Sequence, residues 1–292
     1  MLSEGRTALD TVEAVIRLFE DDAAFNAGRG AVLTTDGRAE LDASIMDGRS
    51  LACGAVAGVT RVRNPITLAR RVMTETKHVL LAGPGADEFA KQQKVQLVAP
   101  DYFLGRRAIA DGNQVIAATS DRSDSPHFGT VGCVVLDADG NLAAGTSTGG
   151  TSKKLPGRVG DSPIVGAGTY AANGVCAVSG TGIGEEFIRN AVAYDVAAQM
   201  RYAGRSLAEA INDIMTAKLE ANMGGLIGVS HRGEIVMQHN TPGMSCGAAD
   251  VGGRFEIFLS LDDGGVPEAS GQEASGQATP PTPGADHSDA EN

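Results

Sequence analysis

Residues 129–150 read GTVGCVVLDADGNLAAGTSTGG. The stretch divides into two strands and a turn. Val131–Leu136 is apolar and β-branched, a composition that suits a pleated, half-buried surface. Asp137-Ala138-Asp139-Gly140-Asn141 is turn chemistry, with short polar side chains that bond nearby backbone and a glycine that accepts positive φ. Leu142–Thr148 returns and stops at Gly149-Gly150. An antiparallel hairpin brings its two ends side by side. Each end here carries a small hydroxyl: Thr130 opens the first strand and Thr148 closes the second.

Upstream, residues 111–128 (DGNQVIAATSDRSDSPHF) are mostly polar and read as a long exposed loop. A loop of that length inside a compact chain is usually functional or disordered. This one leads directly into Thr130. A threonine hydroxyl is a weak nucleophile that needs a base beside it. A free α-amine, with a pKa of about 8, serves when the threonine is itself a chain terminus. A cleavable segment ending in Gly129-Thr130, followed by a core strand, is therefore the pattern of a nucleophile that the chain uncovers by cutting itself. The same pattern also fits a threonine that merely begins a strand.

The totals narrow the classes. With 292 residues and 42% apolar content, the chain can bury a sizeable core as one large domain or two. Tryptophan is absent and the net charge is −12. Neither favours stacking on bases or binding to nucleic acid or anionic membranes. No stretch approaches the roughly 18 apolar residues of a membrane span, and the first residues lack the pattern of a secretory signal. Cys53, Cys133, Cys176 and Cys246 form no C-x-x-C pair, which argues against a zinc site. Three of them sit in apolar runs as buried thiols, which fits a reducing cytoplasm. Asp262–Asn292 carries seven acidic residues, no Lys or Arg, and a tandem EASGQ repeat. That composition reads as a disordered tail.

Leu9, Val12, Ile16 and Phe19 recur at helical spacing over Thr7–Phe19. Phe25–Gly30 reads as a glycine-rich turn into a strand at Ala31–Thr34. Glu40–Asp47 alternates, with Leu41, Ala43 and Ile45 on one face and Asp42, Ser44 and Met46 on the other, as a half-buried strand does. Ala52–Val59 reads as a tightly packed strand. Asn64-Pro65 starts a helix to about Thr76. A strand follows at His78–Leu81, then a helix near Ala86–Gln93. Beyond the hairpin, Thr151–Ser162 is a charged loop and Val175–Val178 a strand. Ser179–Glu185 is a second glycine-rich turn that opens a helix over Glu185–Ala203. Ser206 and Glu209 cap a further helix to Ala221. Gly225–Ser230 and Glu234–Gln238 make a hairpin, and Arg254–Ser260 a last strand.

Several residues have chemistry to offer. Thr148 can exchange a hydrogen bond with Thr130. Thr181, read on a loop at a helix start, can face a developing oxyanion. Arg158 and Asp161 offer a cation and an anion close together, a clamp for the carboxylate and amine of an amino acid. Each has a plainer reading: a sheet hydroxyl, a helix cap, a surface ion pair. Gly180, Gly182 and Gly184 lack the spacing of a dinucleotide fingerprint. His127, beside the cut, is a candidate base or a solvated loop residue.

Over roughly Ala8–Gly243 the chain resembles the isoaspartyl peptidase/plant-type L-asparaginase family of N-terminal nucleophile hydrolases. The motifs that carry the resemblance are FNAGRGAV, LDASIMDG, GAVAGV, RNPITLAR, the hairpin itself, KLPGRVGDSPIVGAGTYA, SGTGIGEEFIR and NTPGM, all in the family's order. The resemblance implies a four-layer αββα sandwich matured by autocatalytic cleavage between Gly129 and Thr130. It divides the chain into an α segment (1–129), a β segment (130–261) and the tail (262–292), with αβ pairs that dimerise.

It implies Thr130 as nucleophile, Thr148 bonded to it, and Thr181 with the Gly182 N–H as the oxyanion hole. Asn26 is implied near the nucleophile. Arg158 and Asp161 bind the substrate's α-carboxylate and α-amine, helped by Gly182 and Gly184. The reaction needs no cofactor. A structural sodium ion is implied on the backbone carbonyls of Phe19, Glu20, Asp22, Phe25, Ala27 and Arg29. The implied substrates are L-asparagine and β-aspartyl dipeptides. The alternatives are glycosylasparaginase chemistry or an unprocessed, non-catalytic relic. The family's opening strand and its His-Gly-Gly-Ala-Gly turn have no counterpart, since Met1 falls within the family's early helix. A start set too far downstream is the reading taken, against a truncated, inactive form.

Overall fold

The computed structural model describes residues 2–109 and 129–259; the loop at 111–128, His127 included, and the tail from Asp262 lie outside the described residues. Helix α1 spans Ala8–Asp21, one residue after Thr7, whose side chain accepts the Asp10 N–H at 3.1 Å and so satisfies a donor the helix start leaves open. Val12 and Ile16, one turn apart, are fully buried. The central hairpin forms as its sequence dictates, with β4 at Val131–Leu136 and β5 at Leu142–Thr148. Asp137 holds its turn by accepting the N–H groups of Asp139 and Asn141, and Gly140 takes φ +78°.

β5 pairs on its other side with β1 (Leu41–Asp47), which pairs with β2 (Cys53–Val59), which takes the short parallel strand β3 (Leu80–Ala82). The first sheet is therefore ordered β3-β2-β1-β5-β4. The second is an antiparallel run of β6 (Thr169–Ala172), β7 (Cys176–Gly182), β8 (Gly224–Ser230) and β9 (Ile235–His239). β10 (Cys246–Ala249) and β11 (Phe255–Phe258) make a separate ribbon.

The period-2 alternation of β5 stacks the layers. Leu142 and Ala144 enter a core with the second sheet, and Thr146 Oγ1 lies 2.7 Å from Ser179 Oγ on β7. The residues between them face helices. Ala143 joins the core of α1 and α2 (Pro65–Glu75), and a Cβ on Gly145 would stand 2.7 Å from Val12 and 2.8 Å from Ile16. α3 (Gly83–Gln92) lies on the same side of that sheet, packed on β2 and β3. α5 (Val192–Ala203) and α6 (Leu207–Asp213) cover the second sheet. The result is the expected αββα sandwich.

Four local expectations change. Ala31–Thr34 is not a strand: Leu33 O instead accepts the Lys153 N–H, and Thr35 donates to Lys154 O, so this segment is tied to the charged loop. Ser179–Gly182 is not a turn but the end of β7, paired through to Gly224. The helix read over Glu185–Ala203 is two, α4 (Gly184–Arg189) and α5, because Ala191 between them adopts φ +46°. The helix from Ser206 has the capping box but gives way to a π-turn at Ile214–Lys218.

One buried acid stands at the centre of the helical side. Glu20 accepts from Ser147 Oγ at 2.7 Å and from the Ile66 N–H at 3.0 Å. Its other oxygen, Oε2, has no partner among the described residues. Burial pushes its carboxyl up to about 8, against the pull of those hydrogen bonds. The folded chain thus keeps a proton that the unfolded chain releases in the ordinary glutamate range. Stability from this group is full below that range and is lost as pH rises through about 8. Glu20→Gln fixes the neutral form and is expected to flatten that decline in a series of thermal melts against pH. An unaltered decline would place its source elsewhere.

Candidate active site

The hairpin ends meet as the sequence requires: Thr130 Oγ1 and Thr148 Oγ1 are 2.9 Å apart. Thr148 Oγ1 also accepts the Gly150 N–H at 2.9 Å, which leaves its proton available to Thr130. Asn26 stands behind this pair rather than on it. Its Nδ2 donates to Gly150 O at 2.7 Å, its Oδ1 accepts the Val32 N–H at 2.9 Å, and its carbonyl accepts the Gly149 N–H. Asn26 therefore fixes the backbone that fixes Thr148. Gly149 must be glycine, because a Cβ there would stand 2.6 Å from Asn26 Oδ1.

β7 brings the second hydroxyl. β4 packs on β7 so closely that a Cβ on Gly132 would run into Ser179 Oγ. Two residues on, Thr181 Oγ1 is 3.6 Å from where a Gly129 Cβ would lie, which brings it beside the residue that precedes Thr130. Gly182 ends the strand at φ +153°, where a Cβ would strike Met223 O. Both the dihedral and the space demand glycine.

The loop between β5 and β6 supplies the charges. Asp161 is 5% exposed, and its Oδ2 has no partner among the described residues. Burial raises its carboxyl to about 7, although a backbone N–H and the Arg158 charge oppose the shift. A Cβ on Gly184 would stand 2.9 Å from both Arg158 Nη2 and Asp161 Oδ1. Cation and anion thus face one point, which the bare glycine leaves open. They are not the surface ion pair of the plainer reading: the carboxylate on Arg158 is that of Glu185. Arg158 Nε and Nη2 donate to Glu185 Oε1 and Oε2 at 3.0 and 2.9 Å, a fork that fixes the guanidinium plane. Sequence reading missed Glu185, which lies 27 residues from Arg158 and carries no local signal of that contact.

The four cysteines are free thiols; burial pushes Cys133 and Cys176 up to about 12, which leaves them inert. Among the described residues no cluster of acids, His and Cys could hold a metal, and no helix is long and apolar enough to cross a membrane.

The family model described as Asparaginase matches residues 1–259. The chain is 50% identical over 254 residues to the isoaspartyl peptidase of Escherichia coli K12, covering 84% of this chain and 79% of that one. It is 44% identical over 279 residues to the probable isoaspartyl peptidase/L-asparaginase 2 of Arabidopsis thaliana, covering 87% and 86%. The isoaspartyl peptidase/L-asparaginase of Rattus norvegicus is 40% identical over 266 residues, covering 89% and 79%. A sandwich whose core hairpin ends in paired threonines, matched along nearly its whole described length, places this chain in the asparaginase family, among the N-terminal nucleophile hydrolases.

Proposed function

We propose that the chain is a β-aspartyl hydrolase that cuts itself before Thr130 and then hydrolyses L-asparagine and β-aspartyl peptides. The observation that carries this reading is the Thr130–Thr148 hydroxyl pair at the first residue of a core strand. Cleavage gives Thr130 a free α-amine. That amine takes the hydroxyl proton as Oγ1 attacks the substrate's side-chain carbonyl. The Thr181 hydroxyl and the Gly182 N–H are the groups we assign to the developing oxyanion. The carbon–nitrogen bond breaks, the amine returns the proton to the leaving ammonia or peptide amine, and an ester to Thr130 remains. Water then attacks the ester and releases aspartate. Arg158 reads the substrate's α-carboxylate and Asp161 its α-ammonium, so the carbonyl that reaches Thr130 is the one on the β-carbon.

The cut does not separate the halves. β1, upstream of it, pairs with β5, downstream, from Asp42–Thr148 to Asp47–Ala143. On a denaturing gel the purified chain is expected as two fragments meeting at Gly129–Thr130. Its native mass is expected to be that of two whole chains, and ammonia is released from asparagine. A single uncut band with no ammonia overturns the reading. The four free thiols support a reducing, cytoplasmic setting.

We infer a small cation on carbonyl oxygens of the loop Phe19–Arg29, a segment that folds tightly on itself. Glu20 O lies against Gly28, and Ala23 O and Phe25 O against Gly30, each so close that a Cβ would strike it. Sodium on the carbonyls of Phe19, Glu20, Asp22, Phe25, Ala27 and Arg29 would supply no chemistry to the reaction, only rigidity to the loop that carries Asn26. Binding to the folded state alone raises thermal stability. The melting temperature is therefore expected to be higher in sodium chloride than in choline chloride of equal concentration. Equal values remove the ion from the account.

A further inference from the structure

The loop that carries Arg158 and Asp161 is fastened to one face of a single strand. Asp42 and Ser44 sit two apart on β1 and share the face that looks toward the second sheet, and Glu40 immediately precedes the strand. All three are buried. Their contacts run along the loop in the same order. Glu40 O accepts Lys154 Nζ at 2.7 Å, and Glu40 Oε2 accepts the Gly157 N–H at 2.8 Å. The Asp42 carboxyl takes the Gly58 N–H at 2.8 Å on Oδ1; burial raises it above the ordinary carboxylate range, opposed by the charges of Lys154 and Arg158 and by the Gly58 and Gly160 N–H groups. Its Oδ2 completes no hydrogen bond among the described residues. Ser44 Oγ donates to Ser162 O at 2.6 Å, and it is 2.8 Å from Thr169 Oγ1. The contacts at Gly160 and Ser162 bracket Asp161.

The same strand is in register with the hydroxyl side of the site. Asp42 pairs with Thr148 and Ser44 with Thr146, and Thr148 touches Thr130. One strand, with the residue before it, therefore holds both the nucleophile's partner and the charged loop. Burying Asp42 and Lys154 is costly, and neither touches Thr130. A low-cost fold would fill those positions with apolar side chains.

The geometry points to Glu40, Asp42 and Ser44 as positioning residues that set the distance from the Arg158–Asp161 pair to Thr130, and thereby select four-carbon over five-carbon amino-acid substrates. This rests on the roles given above to Thr130, Arg158 and Asp161. A substrate whose side chain is one methylene longer carries its carbonyl past the nucleophile, and a displacement of about 1 Å suffices to cost about 10²-fold in rate.

The test uses Asp42→Asn, which keeps the shape and the acceptor for Gly58 but removes the carboxyl group that faces Lys154 and Arg158. The assay is ammonia release from L-asparagine, with L-aspartate and L-glutamate as competitive inhibitors. In the variant, KM for asparagine is expected to rise about tenfold, and the preference for aspartate over glutamate is expected to fall by a similar factor. Splitting at Thr130 should persist on a denaturing gel. An unchanged inhibitor preference, with only the rate at saturation reduced, overturns the proposal, because that is the signature of less folded enzyme. If Asp42→Asn does not accumulate as folded protein, Ser44→Ala takes its place, with the same expected shift in preference and the same overturning result. An unsubstituted chain that splits but releases no ammonia fails the underlying reading instead.

Discussion

Thr130→Ala is expected to stop two reactions with one atom. In the proposed reactions one hydroxyl attacks both the Gly129 carbonyl and the substrate, and the variant lacks it. It should therefore run as a single full-length band, and its ammonia release should fall by at least about 10⁴-fold, the scale on which removal of a nucleophile acts. Removing Thr148 instead leaves the nucleophile in place but takes away the 2.9 Å contact that orients it, so slowed splitting rather than none is the contrasting outcome. A Thr130→Ala protein that still divides, or still releases ammonia, would show that the attacking group lies elsewhere. Folding is not at stake in the comparison. Thr130 precedes β4 and makes no ladder pair within it, and the change deletes only a methyl and a hydroxyl.

Asp161→Asn is expected to act on binding and on its pH dependence. Burial holds the Asp161 carboxyl at about 7. Below that value the group is neutral and cannot make the proposed pair with a substrate ammonium; above it the charge for that pair is present. In the unsubstituted enzyme kcat/KM should climb as pH rises through about 7, and climb further as the Thr130 α-amine, at about 8, loses its proton. The asparagine variant should lose the lower step and keep the upper one. Its KM for L-asparagine should rise about 10²-fold, the cost of truncating one partner of a buried charged contact. Initial rates across the range from about pH 5 to about pH 9, which brackets both groups, decide the matter when taken with both proteins. A variant with an intact lower step would assign that step to another group.

The hairpin is legible in the sequence because three independent signals agree there: β-branched strands, an Asp-rich turn, and hydroxyls at matching ends. The structure adds only the distance. The region around Thr181 misleads for a physical reason. Glycine clusters usually mark turns, yet here they serve close packing. A Cβ on Gly180 would stand 2.6 Å from the Phe187 ring, and one on Gly224 would run into Thr181 O. Glycines that let strands and a ring approach look the same in sequence as glycines that bend a chain. The break at Ala191 carries no Gly or Pro, so periodicity alone runs one helix through it. β6, four residues long, is too short to show alternation. Arg158 and Asp161 stand out in sequence as charges near each other, but the burial of one and the Glu185 fork on the other depend on the whole sandwich. The alternating face of Asp42, Ser44 and Met46 is visible in the sequence, while its partners in the charged loop, more than a hundred residues away, are not.

The pairing of β1 with β5 spans the proposed cut, which divides labour between the two pieces. Every group assigned a chemical act (Thr130, Thr148, Arg158, Asp161, Thr181, Gly182) lies downstream of Gly129. What the upstream piece contributes to the site is alignment, through Asn26, Glu40, Asp42 and Ser44. In the proposed mature form the molecule is a reactive half held in a fixed jig, the two joined by the β1–β5 ladder. Variation upstream can retune which amide is accepted without touching the attacking group, and variation downstream alters the attack itself. The two properties can therefore change independently.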